Sequence, residues 1–227
     1  MPNYVTNRID LVGPDESIQN LIKSLKSNDY EIDFNKIIPM PESLMIDAGS
    51  MEDQSIAVYN YKEKGDDKKL REIFSYPWVK DEGIKSIDEL CDYFIREDPK
   101  IIDRGRTYIE NLEKYGATTW YDWCYENWNT KWNACDPWVD RTAFGFQTAW
   151  SDVTKLMVVV SERFPDVEMH YDWADEDFGC NLGRITIKNG KIIKKYLPEE
   201  QTDDAYALAT EILGYDARED WDEEDDW

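Results

Sequence analysis

The chain has a single histidine, His170, among 227 residues, and that scarcity leaves no Ser/His or Cys/His arrangement for a typical hydrolase, with a purely carboxylate mechanism still open. A serine or cysteine nucleophile is ordinarily activated by an imidazole beside it. His170 follows the phase of Glu168 and Asp172, opposite Val167, Met169 and Tyr171, which reads as the solvent side of a strand. Cysteine is sparse as well. Cys91, Cys124, Cys135 and Cys180 show no CxxC spacing, so reduced structural thiols are expected rather than a zinc site. No apolar run approaches the roughly 18 residues of a membrane span. The opening MPNYVTNRIDLVG has no basic region followed by an apolar one, so no signal peptide is read. Gly179, Gly183 and Gly190 lack dinucleotide or Walker spacing, leaving nucleotide binding without support. Basic residues are also in deficit, 26 Lys and Arg against 49 Asp and Glu, for a formal net charge of -23. Nucleic acids and anionic membranes need cationic surface, so direct contact with either is disfavoured. The expectation is a cytoplasmic protein with no cofactor, no metal and no catalytic residue.

What the chain has in excess is tryptophan. Trp120 to Trp138 reads WYDWCYENWNTKWNACDPW, five tryptophans in nineteen residues. Such side chains bury large areas and dominate cores and interfaces alike.

Strand and helix patterns alternate at the two ends. Val5, Ile9 and Leu11 alternate with Thr6, Arg8 and Asp10, predicting a strand over 4–12. Gly13-Pro14-Asp15-Glu16 starts a helix carrying Ile18, Leu21, Ile22 and Leu25 on one stripe. Phe34 to Ile38 is expected to be a second strand, stopped by Pro39 and Pro41. Residues 42–70 read as loops and short pieces. Ser86-Ile87-Asp88-Glu89 is a capping box before a helix, and Pro99 to Gly116 bounds another. Ser151 is expected to cap a helix with Val153, Leu156, Met157 and Val160 between alternating strands at 144–150 and 167–173. Asn189-Gly190 signals a hairpin, and a helix is expected over 202–213.

The pattern predicts an α+β protein: a ferredoxin-like split βαβ antiparallel sheet with a large helical insertion between strands 2 and 3 and an extra C-terminal hairpin strand. Residues 1–40 and 141–198 would form the α+β core and 41–140 a Trp-rich helical insertion packed on it. Residues 199–214 would add a C-terminal helix and 215–227 an acidic flexible tail.

Four segments, in order, carry a family resemblance: NYVTNRIDLVG, DFNKIIPMPESL, YGATTWYDWCYENWNTKWNACD and FQTAWSDVTKLMVVVSERFPDVEMHYDWADEDFGCNLGRI. Together they resemble the YubB-like family of phage- and plasmid-encoded proteins with a ferredoxin-like domain, over about residues 3–196. The resemblance implies that fold and a mobile-element origin, and no established activity. Asn129 stands where the family's N-W-G-T-K-W-N pattern has glycine; asparagine tolerates positive φ better than other side chains.

Three groups of residues are candidates for partner binding. Trp128, Asn129, Lys131 and Trp132 lie in the tryptophan block, where core packing and an aromatic interface are both readings. Lys131 has a further reading as an activated amine or a cation–π partner. Asp172, Asp175, Glu176 and Asp177 form a dense acidic loop, either solvated or a weak site for a hard cation without the EF-hand pattern. Asp220, Trp221, Asp222, Glu223, Glu224, Asp225, Asp226 and Trp227 combine carboxylates with aromatics, a composition suited to a basic, partly apolar surface. The leading expectation is a viral or plasmid inhibitor in the bacterial host cytoplasm. It would engage a basic nucleic-acid-handling host protein by DNA mimicry, as anti-CRISPR or anti-restriction factors do. A second reading is an enzyme with a pocket under the tryptophan block, using Asp122, Asn127, Lys131 and Asn133. A third is an RNA-binding sheet built on Phe144 and Phe146.

Overall fold

Alternation fixes the first strand: β1 (Tyr4–Val12) buries Val5, Asn7, Ile9 and Leu11 and turns Arg8 and Val12 to solvent. The computed structural model describes residues 2–217. Helix α1 (Asp15–Leu25) follows, with Asp15 and Glu16 in the first turn, Lys23 in the last, and Ile18, Leu21 and Leu25 buried. The strand expected at 34–38 is instead a helical turn, α2 (Phe34–Ile37). Asp33 caps it by accepting the Asn35 amide at 3.0 Å, and Asn133 Oδ1 accepts the Phe34 amide at 2.8 Å. Phe34 and Ile37 thus share a buried face at i, i+3, a spacing that a short apolar run cannot distinguish from a strand.

The described chain divides into two compact units, residues 2–39 with 124–217, and residues 40–123. The second is helical: a 3-10 turn (Glu42–Leu44), α3 (Ser50–Lys64), α4 (Lys68–Phe74), α5 (Pro77–Asp81), α6 (Ile87–Glu97) and α7 (Ile101–Tyr115). Its core gathers Val58, Leu70, Ile73, Val79, Leu90, Phe94 and Ile101. Ser86 caps α6 as expected, its Oγ accepting the Glu89 amide at 3.1 Å, while the Glu89 carboxylate reaches one residue further back, to the Lys85 amide at 2.7 Å. Gly116 closes α7 at φ 75°. The long α3 replaces the loops expected at 42–70, because its buried face is made of Ser55, Ala57 and Val58 rather than a stripe of large residues. Those small side chains let α3 lie against Gly105 of α7.

Helix α8 (Trp120–Trp128) crosses the boundary between the units, and β2 (Cys135–Val139), β3 (Ala143–Ala149), α9 (Thr154–Arg163), β4 (Glu168–Asp175), β5 (Gly183–Lys188), β6 (Lys191–Tyr196) and α10 (Asp203–Leu213) follow. The six strands form one antiparallel sheet in the order β2-β3-β1-β4-β5-β6. The series β1-α1-β2-β3-α9-β4 with order 2-3-1-4 is the ferredoxin-like split βαβ arrangement, and the fold is ferredoxin-like α+β. Its second strand is Cys135–Val139, within the stretch read as helical, so the helices join α1 to β2 rather than strand 2 to strand 3. That strand gave no alternation signal because it is an edge strand, four of its five residues exposed, and Pro137 lies within it. The β5–β6 hairpin turns at Asn189 and Gly190, with φ 47° and 69°. Helix α9 packs against β5 and β6 on one face, and α10 covers part of the other through Ala205, Leu208 and Ala209 against Ala174, Phe178 and Leu182.

All four cysteines are free thiols. Burial pushes the Cys124 thiol up to about 12 and raises that of Cys91. Thiolate is the reactive form. Burial raises the Cys135 and Cys180 thiols as well, so accessibility sets the order, and alkylation of the native protein at mildly alkaline pH should label these two half-buried cysteines first. Cys91 and Cys124 should react only on unfolding, which peptide mass mapping resolves.

Candidate functional site

A buried polar network ties three strands to the loop between β3 and α9. Val153 N–H donates to Tyr171 Oη at 2.9 Å, and Tyr171 O–H donates to Asn7 Oδ1 at 2.6 Å. Asn7 Nδ2 donates to Thr148 Oγ1 and to Val5 O, both at 2.8 Å, and Thr148 O–H donates to Ser151 O at 2.6 Å. Asn7, Thr148 and Tyr171 have no exposed surface. Burial holds the Tyr171 phenol well above its ordinary value, so it stays a neutral donor. Val153, not Ser151, is the N-cap residue of α9, and Asp152 just before it accepts the Thr154 amide at 2.7 Å.

The loop so fixed carries Trp150 at φ 65°. The Trp150 ring lies parallel to Tyr125 with centroids 6.3 Å apart. Lys131 Nζ sits 4.8 Å from the Trp132 ring centre and 5.2 Å from that of Trp150, a cation–π arrangement, one of the two readings of this lysine. Asn129, at φ 61°, donates to Asp152 O at 2.9 Å, so the turn closes onto the same loop. Thr130 binds Ala149 through both its backbone partners, O at 3.0 Å and N–H at 3.1 Å. Trp128 belongs to the core instead of a partner surface: it is 2% exposed, donates to Ile38 O at 2.9 Å and meets Phe34 edge-on.

The acidic loop is sorted by its geometry. Asp172 is clamped by Arg184, which donates at 2.9 and 2.7 Å and also reaches Glu211 of α10 at 2.7 Å. These two carboxylates raise the Arg184 guanidinium above its ordinary value. Asp175 is 5% exposed and accepts the Asp177 amide at 2.9 Å and Asn181 Nδ2 at 2.8 Å, a role inside the fold. Glu176 and Asp177 remain exposed. They are joined by acids that the sequence reading did not select. Gln201 N–H donates to Gly179 O at 2.9 Å and Asn181 N–H to Glu200 Oε1 at 2.9 Å. The β4–β5 and β6–α10 connections are thereby stitched together, which gathers Glu176, Asp177, Glu199, Glu200, Asp203 and Asp204 at one end of the sheet. Asp220 to Trp227 lie outside the described residues.

Beneath the end of α10, a cavity of about 480 Å³ is lined by Arg8, Asp10, Val12, His170, Asp172, Arg184, Glu211 and Ile212. His170 is exposed there, with Nε2 3.2 Å from Glu168. Among the described residues no three His, Cys, Asp or Glu side chains converge as metal ligands, and no helix is long and apolar enough to cross a membrane. Phe144 and Phe146, on which a base-stacking sheet would depend, are 0% and 1% exposed. Asn133, a candidate polar group of the enzyme reading, is occupied in holding Phe34 N–H and Asp33.

Residues 127–225 match the family model of the ferredoxin-like domain in Api92-like protein. Within the described residues the match takes in every strand of the sheet except β1. The crystal structure of the protein Api92 from Yersinia pseudotuberculosis aligns over 89% of this chain and 100% of that one, at 9% identity and a TM-score of 0.42. No curated protein matches the chain.

Proposed function

We propose that this is a non-enzymatic acidic binding protein of a phage or plasmid, which engages and inhibits a basic, nucleic-acid-handling protein in the host cytoplasm. The observation supporting this reading is the gathering of Glu176, Asp177, Glu199, Glu200, Asp203 and Asp204 from two separate connections onto one end of the sheet. A partner that grips phosphates presents arginines and lysines at the spacing of a nucleic-acid backbone. Carboxylates gathered at that end would compete for them, and a net charge of -23 speeds the encounter. Anti-restriction or anti-CRISPR inhibition is the biological form proposed, and the family resemblance supports the mobile-element setting.

Affinity capture from bacterial lysate, at low and raised salt, tests the reading with the full chain and a form ending at Gly214. The full chain should retain basic nucleic-acid-binding proteins that salt releases and that duplex DNA displaces. The shortened form, lacking the carboxylates of Asp220 to Asp226, should retain them less well. Recovery of no such protein at any salt, or retention that DNA leaves untouched, would contradict it.

A further inference from the structure

The opposite charge collects on one sheet edge. Strand β6 is outermost, hydrogen-bonded to β5 on one side only, and every residue from Lys191 to Tyr196 is exposed. Lys191, Lys194 and Lys195 lie on it, and Lys188 is exposed on the neighbouring strand, a local excess of cations in a chain of net charge -23. Lysines on an edge strand commonly serve to discourage pairing with other chains. A purely protective edge would not also expose Ile192 (45%), Ile193 (57%), Tyr196 and Leu197. The register shift between Thr186 and Ile187 leaves Ile193 as an extra residue bulged from the ladder, a device that re-aims a side chain.

We propose that the free edge of β6 accepts an extended acidic segment of a partner protein as a seventh strand. Backbone N–H and C=O groups of the edge would supply the affinity common to strand addition, and alternate side chains the selectivity. Lysines on both sides of the strand would pair carboxylates, and the exposed isoleucines would take apolar residues between them. A second copy of the chain fits poorly: β6 against β6 sets lysine against lysine. The other sheet edge, β2, contains Pro137, which has no N–H, and its register is broken between Cys135 and Trp138. A nucleic acid would use the lysines but leave the strand's backbone and isoleucines without partners. This surface is distinct from the acidic end, so the inference stands or falls separately from the function proposed above.

Fluorescence anisotropy of the full chain with a labelled peptide of alternating glutamate and valine, roughly six to eight residues long, tests it directly. Binding should weaken by about tenfold or more in the K191E/K194E/K195E variant. It should weaken as much when alternate backbone amides of the peptide are N-methylated, since that leaves every charge in place. The peptide arm does not depend on any variant folding. Equal binding of the methylated peptide, insensitivity to the three substitutions, or tighter binding of a single-stranded oligonucleotide of the same length would each overturn the proposal.

Discussion

Replacing Gly105 by alanine is expected to destabilise the helical unit by about 2–3 kcal/mol, although glycine-to-alanine changes inside helices usually stabilise by up to about 1 kcal/mol. Gly105 lies within α7, where a β-carbon would come 2.3 Å from the Ser55 carbonyl oxygen and 2.6 Å from Tyr59 Cβ. The first of these is backbone and cannot rotate aside. The methyl group would have to push α3 away from α7, opening the contacts of Ser55, Ala57 and Val58 that bury the helix. Overpacking of this kind typically outweighs the propensity gain. Urea denaturation followed by circular dichroism should show the loss, and a variant as stable as the parent would mean the two helices do not approach so closely.

Replacing Asn7 by leucine should cost about 3 kcal/mol, despite the similar volume and the more apolar side chain. Asn7 is the hub through which Tyr171 and Thr148 are satisfied. Leucine would leave the Tyr171 O–H without its acceptor and Thr148 Oγ1 without a donor, and each orphaned buried group costs about 1–3 kcal/mol. Tyr171→Phe should cost a comparable amount, because it strands two buried groups in turn, the Val153 N–H and Asn7 Oδ1. The double variant should be less destabilised than the sum of the two, the signature of a shared network. Strict additivity would show that the groups act independently. Because the network anchors the loop bearing Trp150, Asn7→Leu should also change tryptophan emission.

Asn7 illustrates what could and could not be read from the residues. The alternation over 4–12 was plain and gave β1 its faces, yet Asn7 sits on the buried phase with Val5, Ile9 and Leu11. A polar residue in an apolar phase was the available signal for the network; Thr148, on the phase of Phe144 and Phe146, repeated it. Strand 2 was misplaced for a different reason. Phe34 to Ile38 offered a dense apolar run and Cys135 to Val139 offered none, but burial of the former comes from helical spacing while the latter lies at a solvated edge. The length of α3 was hidden because close helix approach selects small residues, which leave no hydrophobic stripe. The acidic stretch at 172–177 was visible as a run and read as a loop, although Asp172 and Asp175 belong to β4 and only Glu176 and Asp177 to the connection after it. Its union with Glu199, Glu200, Asp203 and Asp204 depends on two hydrogen bonds between distant connections, which no local pattern encodes.

The functional account requires that the position of negative charge matters, beyond its amount. Two variants with the same change in net charge separate these possibilities. In one, Glu176→Gln, Asp177→Asn, Glu199→Gln, Asp203→Asn and Asp204→Asn neutralise the acidic end while sparing Glu200, which holds the Asn181 amide. In the other, five exposed carboxylates of the helical unit, Glu63, Asp66, Glu82, Glu97 and Glu110, are changed to amides. Association rates with the captured basic partner should fall about 10- to 100-fold for the first variant and by little for the second. Equal loss in both would mean that bulk charge alone governs binding, and the acidic end would have no special role.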